Sequence, residues 1–193
     1  MGDHPPIDSQ ETWDEFNRTL PGIVDGLKAG EPFNRSSPPR SKGRGIYLFS
    51  DGAKDLYVGR TGTSARSRKA GKEPSTSFVA RWRQHTGASS PPHSAPFAMK
   101  IARELAEQFG VAGPVELKEA GRTKRTADWW GLRKSEEPPD FYFLFQAAKH
   151  FIGEELDFRV AEFDDDVRGV RSHVAEVYAD VVLQSTYGDF SPS

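Results

Sequence analysis

Apolar residues recur along this chain with two different periods. In SQETWDEFNRTLPGIVDGLK, residues 9–28, Trp13, Phe16, Leu20, Ile23, Val24 and Leu27 fall at helical spacing. Ser9, Glu11 and Thr12 supply capping and first-turn signals, and Pro21 is expected to break or kink the run. In GIYLFSDGAKDLYVGR, residues 45–60, two apolar stretches flank Asp51-Gly52, a strong hairpin signal that predicts strands at 45–50 and 55–60. SFVARWRQH, 77–85, opens a helix with Ser77 as N-cap and with Phe78, Arg81, Trp82 and His85 on one face. PFAMKIARELAEQFG, 96–110, is the clearest helix, with a stripe of Phe97, Ile101, Leu105 and Phe109 and with Gly110 as its stop. DFYFLFQAAKHFIG, 140–153, is strongly apolar and suits either a helix or a strand, whereas LDFRVAEF, 156–163, alternates as a strand. After Asp164 to Asp166 a last helix is expected to about Gln184, with Val167, Val170, Val174, Val177 and Val181 as its core stripe.

These elements predict an α/β (α+β) fold, a small three-stranded antiparallel sheet flanked by helices. GEPFNRSSPPRSKGR, 30–44, is rich in Pro, Ser, Gly and Arg and reads as a linker. The expected organisation is an N-terminal helix and linker over 1–42, then one domain over 43–193 carrying basic insertions at 61–77 and 113–139. If the hairpin turns about Gly52, Tyr47 faces Tyr57 and Phe49 faces Asp55. Ile46, Leu48, Leu56 and Val58 then form a core face, and the two phenols stand on the opposite, polar-edged face beside Gly45 and Gly59. A tyrosine pair of that kind can simply stabilise a sheet.

Composition narrows the chemistry. With 193 residues the chain can bury a core without staples. It has no cysteine, so disulfides, thiolate metal sites and cysteine nucleophiles are excluded, and a cytoplasmic setting is expected. No apolar run approaches the ~20 residues needed to span a bilayer. The polar, acidic MGDHPPIDSQ is unlike a signal or transit peptide. The net charge of −2 hides an asymmetry: residues 1–39 hold 3 basic against 7 acidic side chains, residues 40–134 hold 19 against 8, and residues 135–193 hold 4 against 13. A middle block at +11 can attract a polyanion, or the blocks can neutralise one another in the fold.

Three short motifs, taken together, suggest an activity. Gly45-Ile46-Tyr47 is followed about ten residues later by Tyr57-Val58-Gly59, and then by Arg81-Trp82-Arg83-Gln84-His85 on the next helix. The run resembles the GIY-YIG nuclease family, closely over 43–86 and more loosely over 43–190. The resemblance implies a metal-dependent endonuclease acting on DNA phosphodiester bonds, with Tyr47, Tyr57, Arg81, His85 and Glu176 as the catalytic group. It makes one tyrosine, either Tyr47 or Tyr57, the general base with the histidine bonded to it. It also implies a metal-binding glutamate on a later helix, for which Glu176 is chosen; Glu154, Glu155 and Glu162 lie before or within the final strand and rank lower. By helical period Glu176 lies off the valine stripe, so a solvated position is the default, although Ala179 and Leu183 could give it a second packed face. The family's asparagine would fall at Gly188, with Asp189 next to it.

The chemistry explains why these residue types are needed. Arg81 is a permanent cation whose planar fork suits phosphate oxygens. A single carboxylate at Glu176 suits Mg²⁺ or Mn²⁺, which keeps waters and takes substrate oxygens as further ligands. A phenol with a free pKa of ~10 is a poor base unless nearby cations favour its anion or it relays a proton. Arg60, Arg66, Arg68, Lys69, Lys72 and Arg83 are candidate DNA contacts, as are Arg122, Lys124 and Arg125. Trp129 and Trp130 either stack bases beside these last three or anchor the insertion. The alternative is a catalytically weakened module of the same fold that binds nucleic acid without cleaving it, a reading supported by Gly188 and by the acidic C-terminal block.

Overall fold

The computed structural model describes residues 9–61, 77–87, 94–111, 140–163 and 170–190. In chain order these residues form α1 Ser9–Ala29, β1 Gly45–Ser50, β2 Asp55–Arg60, α2 Phe78–Thr86, α3 Pro96–Phe109, α4 Asp140–Glu155, β3 Asp157–Glu162 and α5 Val170–Leu183. The fold is α+β, with three antiparallel strands in the order β2-β1-β3. Every residue of the central β1 is buried. Among the described residues no helix is long and apolar enough to cross a membrane.

Strand alternation divides the interior into two cores. Ile46, Leu48 and Val58 pack with Phe16, Leu20, Val24 and Leu27 of α1 and with Ala175 and Ala179 of α5. The second core gathers Tyr47, Phe49, Tyr57 and Phe158 from the sheet with residues of α2, α3 and α4. The tyrosine face is therefore not polar-edged as expected. It is a densely aromatic interior, because three helices cover it and because Phe49 and Phe158 share it. Phe141, Phe145, Ala148 and Ile152 are buried at helical spacing, which decides the open assignment of 140–153 in favour of a helix.

The hairpin register differs from expectation by two residues. Phe49 pairs with Tyr57 and Tyr47 with Gly59, with an irregularity between Phe49 and Ser50. The connection is longer than a tight Asp-Gly turn: Asp51 Oδ1 accepts from the backbone N–H groups of Ala53 (3.0 Å) and Lys54 (2.7 Å). Those bonds hold the Asp51 carboxyl below its ordinary value. A shift of two leaves the two tyrosines on one face, whereas Leu56, beside the irregularity, packs in the tyrosine core and not with Ile46, Leu48 and Val58 as expected.

Other expectations need correction. α1 runs on through Pro21, whose ring is exposed, while Leu20, Val24 and Leu27 are buried. That burial outweighs the ~3 kcal/mol an interior proline costs a helix. Phe109, placed in the α3 stripe, is 65% exposed; the buried face is Phe97, Ala98, Ile101, Ala102 and Ala106. On α5 the valine stripe is the core face only in part, since Val174 packs against the α1 core. Val181 is 46% exposed, while Ser172, Ala175, Ala179 and Asp180 are buried. Val167 lies outside the described residues. Within the linker, Phe33 pairs with Phe158 across two backbone hydrogen bonds of 2.8 Å, so 30–44 is tied to the outer edge of β3. On the opposite edge, backbone N–H groups of Thr186 and Tyr187 donate to the carbonyls of Asp55 (3.1 Å) and Leu56 (2.8 Å). The segment after α5 is thereby laid along β2.

Candidate active site

β1 carries Tyr47 into the helix-covered core, and Gly59 stands opposite it on β2. A Cβ at residue 59 would come within 2.5 Å of the Tyr47 ring and hydroxyl. The phenol therefore lies across β2 in space that only glycine leaves open, which gives the second motif's glycine a steric reason. Tyr57 stands diagonally beside it, with ring centroids 6.4 Å apart. From the other side α2 brings His85. Ser77 caps that helix by accepting from the Ala80 N–H at 3.3 Å, and Phe78 and Trp82 bury the face that bears the histidine.

The Tyr47 hydroxyl and His85 Nε2 are hydrogen-bonded at 3.1 Å. His85 is fully buried, and His85 Nδ1 has no hydrogen-bond partner among the described residues. Burial pushes the imidazole down to about 3, and the charges of Arg81 and Lys149 act in the same direction. The ring is thus neutral at physiological pH. Tyr47 and Tyr57 are 2% and 3% exposed. Burial raises both phenols well above their ordinary value. Arg81 and Arg60 oppose that shift at Tyr47, while Glu176 and Asp189 add to it. Among the described residues the Tyr57 hydroxyl has no hydrogen bond, so the two phenols are not equivalent.

Arg81 donates from Nη1 to Gln84 Oε1 at 3.0 Å, and its buried Nε has no partner among the described residues. A buried guanidinium N–H without an acceptor is unusual and suits an anion that arrives from outside. Glu176 is not solvated: its side chain is 16% exposed, at the edge of the Ala175 and Ala179 face. Its Oε2 accepts from Arg60 Nε at 2.8 Å and lies 3.6 Å from His173 Nδ1. Burial nonetheless raises the Glu176 carboxyl above its ordinary value, against the pull of Arg60.

Among the described residues no cluster of three or more His, Asp or Glu side chains could hold a metal ion. The donor chemistry fits a hard divalent cation at one point, the Glu176 carboxylate. Its Oε1 has no partner among the described residues, and its burial leaves room for added positive charge. A lone carboxylate of this kind suits Mg²⁺ and its waters.

The structure brings Tyr47, Tyr57 and His85 into contact, and the charges of Arg81, Arg60 and Glu176 act on the Tyr47 phenol. Arg83 is exposed, off the buried face of α2. Arg66, Arg68, Lys69, Lys72, Arg122, Lys124 and Arg125, with Trp129 and Trp130, lie outside the described residues. The rival carboxylates are engaged elsewhere or exposed: Glu154 with Arg35 and His150, Glu162 with the Ser41 hydroxyl at 2.9 Å, and Glu155 at the surface.

Sequence reasoning missed two lysines. Lys100 Nζ donates to the Tyr187 carbonyl (2.6 Å) and Asp189 Oδ1 (2.5 Å), and it lies 5.8 Å from the Tyr57 ring centroid. Lys149 is buried, with Nζ 5.1 Å from the Phe145 ring centroid. Lys149 sits beside Phe145, Ala148 and Ile152 on the buried face of α4, the one signal that could have singled it out, whereas Lys100 precedes the exposed Arg103 and Glu104 and carries none. Gly188, where the asparagine was expected, packs on Asp180, and a Cβ there would overlap the Asp180 carboxylate. That carboxylate accepts from the Ser185 hydroxyl and from the Phe190 N–H at 2.8 Å. No protein-family model, curated protein or solved structure matches the chain.

Proposed function

We propose that this chain is a metal-dependent DNA endonuclease of the GIY-YIG type, acting in the cytoplasm. The observation that carries this reading is the Tyr47–His85 hydrogen bond, 3.1 Å long, beside an arginine whose buried Nε has no partner among the described residues. A neutral imidazole can accept the phenol's hydrogen bond and leave the phenol oxygen facing an incoming water. That contact favours Tyr47 over Tyr57 as the group that takes the water's proton, its own hydroxyl proton passing to His85 Nε2 in the same step. The phenol needs added positive charge to act so, because burial raises it. Arg81 supplies part of that charge and binds the phosphate oxygens through Nε and its remaining N–H groups. Glu176 would hold Mg²⁺ or Mn²⁺, which supplies Lewis-acid stabilisation of the phosphate's developing charge.

Burial of both phenols at 2–3% exposure is the observation that favours the second reading, a module that binds nucleic acid and does not cleave it. Supercoiled plasmid incubated with Mg²⁺, and in parallel with EDTA, tests both. The nuclease nicks only with Mg²⁺, and Arg81→Ala and Glu176→Ala each lose at least about 10²-fold in rate. Retention on DNA without nicking establishes the binder instead. Wild-type rates in both variants overturn the site assignment.

A further inference from the structure

Two of the site's charged residues are spent on each other. Arg60 closes β2, Glu176 sits 116 positions later on α5, and Arg60 Nε reaches Glu176 Oε2 at 2.8 Å. The side chains are 34% and 16% exposed, so the pair lies at the rim of the site and not in its floor. Both residues have better partners in the proposed reaction. The arginine fork matches a phosphate, and a carboxylate oxygen shared with a guanidinium is a poorer ligand for a divalent cation. An ion pair this near the surface is weak enough to be exchanged.

We propose that Arg60 is a positioning residue that couples DNA binding to cation binding. It occupies Glu176 Oε2 in the free protein, and a DNA phosphate draws it away and releases that oxygen to the cation. The inference rests on the nuclease reading of the site. It makes the order of events specific: the cation binds weakly before DNA arrives and tightly afterwards. By linkage the cation tightens DNA binding by the same factor. Two other roles for Arg60 predict different signs. If Arg60 merely orients Glu176, its removal loosens the carboxylate and weakens cation binding. If DNA tightens the cation only by contributing a phosphate ligand, Arg60 is irrelevant to the coupling.

The full chain is titrated with Mn²⁺ without DNA, and free ion is read by electron paramagnetic resonance. Arg60→Ala is expected to bind Mn²⁺ at least about fivefold more tightly than wild type, the low end of common coupling factors. Arg60→Gln, which keeps more of the side chain's bulk, should do the same, and adding Glu176→Gln should abolish the gain. Separately, the anisotropy of a labelled phosphorothioate duplex is followed with Ca²⁺ and with EDTA. Wild type should bind the duplex about fivefold or more tightly with Ca²⁺, and the Arg60 variants less than about twofold. Unchanged or weaker Mn²⁺ binding in both Arg60 variants overturns the coupling, even if the plasmid is nicked. Tighter Mn²⁺ binding with no nicking overturns the nuclease reading and leaves the Arg60–Glu176 exchange standing.

Discussion

At the scale of single residues, Tyr47 bonds to His85 while Tyr57 has no hydrogen bond among the described residues, a difference that under the nuclease reading separates structure from chemistry. Tyr47→Phe keeps the ring over Gly59 and removes the oxygen bonded to His85. Its stability should fall by about 1 kcal/mol, the net worth of one hydrogen bond. Under the nuclease reading its plasmid-nicking rate falls by about 10²–10⁴-fold. Tyr57→Phe removes a hydroxyl that has no hydrogen bond among the described residues and should change stability by less than about 0.5 kcal/mol. Urea titrations and nicking rates on both variants check this, and equal rate losses would remove the assignment of Tyr47 as the base. His85 makes a second prediction. Its folded-state value is depressed to about 3 from the ordinary 6.5, so the unfolded chain binds the extra proton between those limits. The native state is therefore favoured above about pH 6.5, and this share of stability is lost as the pH falls toward 3. Its full size is of the order of 5 kcal/mol. Urea midpoints between pH 7 and 4 should fall more steeply for wild type than for His85→Gln. Parallel slopes would show that the imidazole is not held neutral by burial.

At the scale of elements, what could be read from the chain depended on whether a local pattern and its tertiary partner agreed. The three strands were legible because alternation and the Asp51-Gly52 turn act locally. Helix α2 was legible because its cap and its buried residues lie within nine positions of one another. The contacts among Tyr47, Tyr57 and His85 were foreseeable from strand face and helix face, and the burial around them was not. It comes from α3 and α4, which are distant in sequence. The register was misjudged because the Asp51 carboxylate caps two N–H groups and lengthens the turn. The α5 face was misjudged because valines advertise hydrophobicity, whereas the sheet takes the small Ala175 and Ala179. Gly188 shows the limit most sharply, since only the fold reveals that its missing side chain makes room for Asp180. Gly188→Asn, which would place there the asparagine implied by the GIY-YIG resemblance, should therefore destabilise the protein by about 1–3 kcal/mol and should not raise nicking. A thermal melt at or above the wild-type midpoint would show that the turn after α5 can yield.

At the scale of the whole molecule, the basic middle block and the acidic C-terminal block meet at ion pairs among the described residues. Glu176 and Asp189, from the acidic C-terminal block, pair with Arg60 and Lys100 of the basic middle block. Arg40 and Lys42 are exposed on the approach to β1, and by sequence Arg66, Arg68, Lys69 and Lys72 belong to the same basic block. If that block serves a polyanion, affinity must depend on salt through the counterions it displaces. The logarithm of the DNA association constant then falls with the logarithm of salt at about −0.9 per phosphate neutralised. Six such contacts lose roughly 10³-fold between 50 and 200 mM salt. Replacing Lys69 and Lys72 together by alanine should make the slope shallower by about 2 while leaving the fold's melting temperature unchanged. The comparison is made by duplex anisotropy in EDTA, so that it reads charge and not the cation at Glu176. A wild-type slope shallower than about −1 would mean that the +11 block is balanced by the chain's own acidic residues, and the case for a nucleic-acid substrate would fall with it.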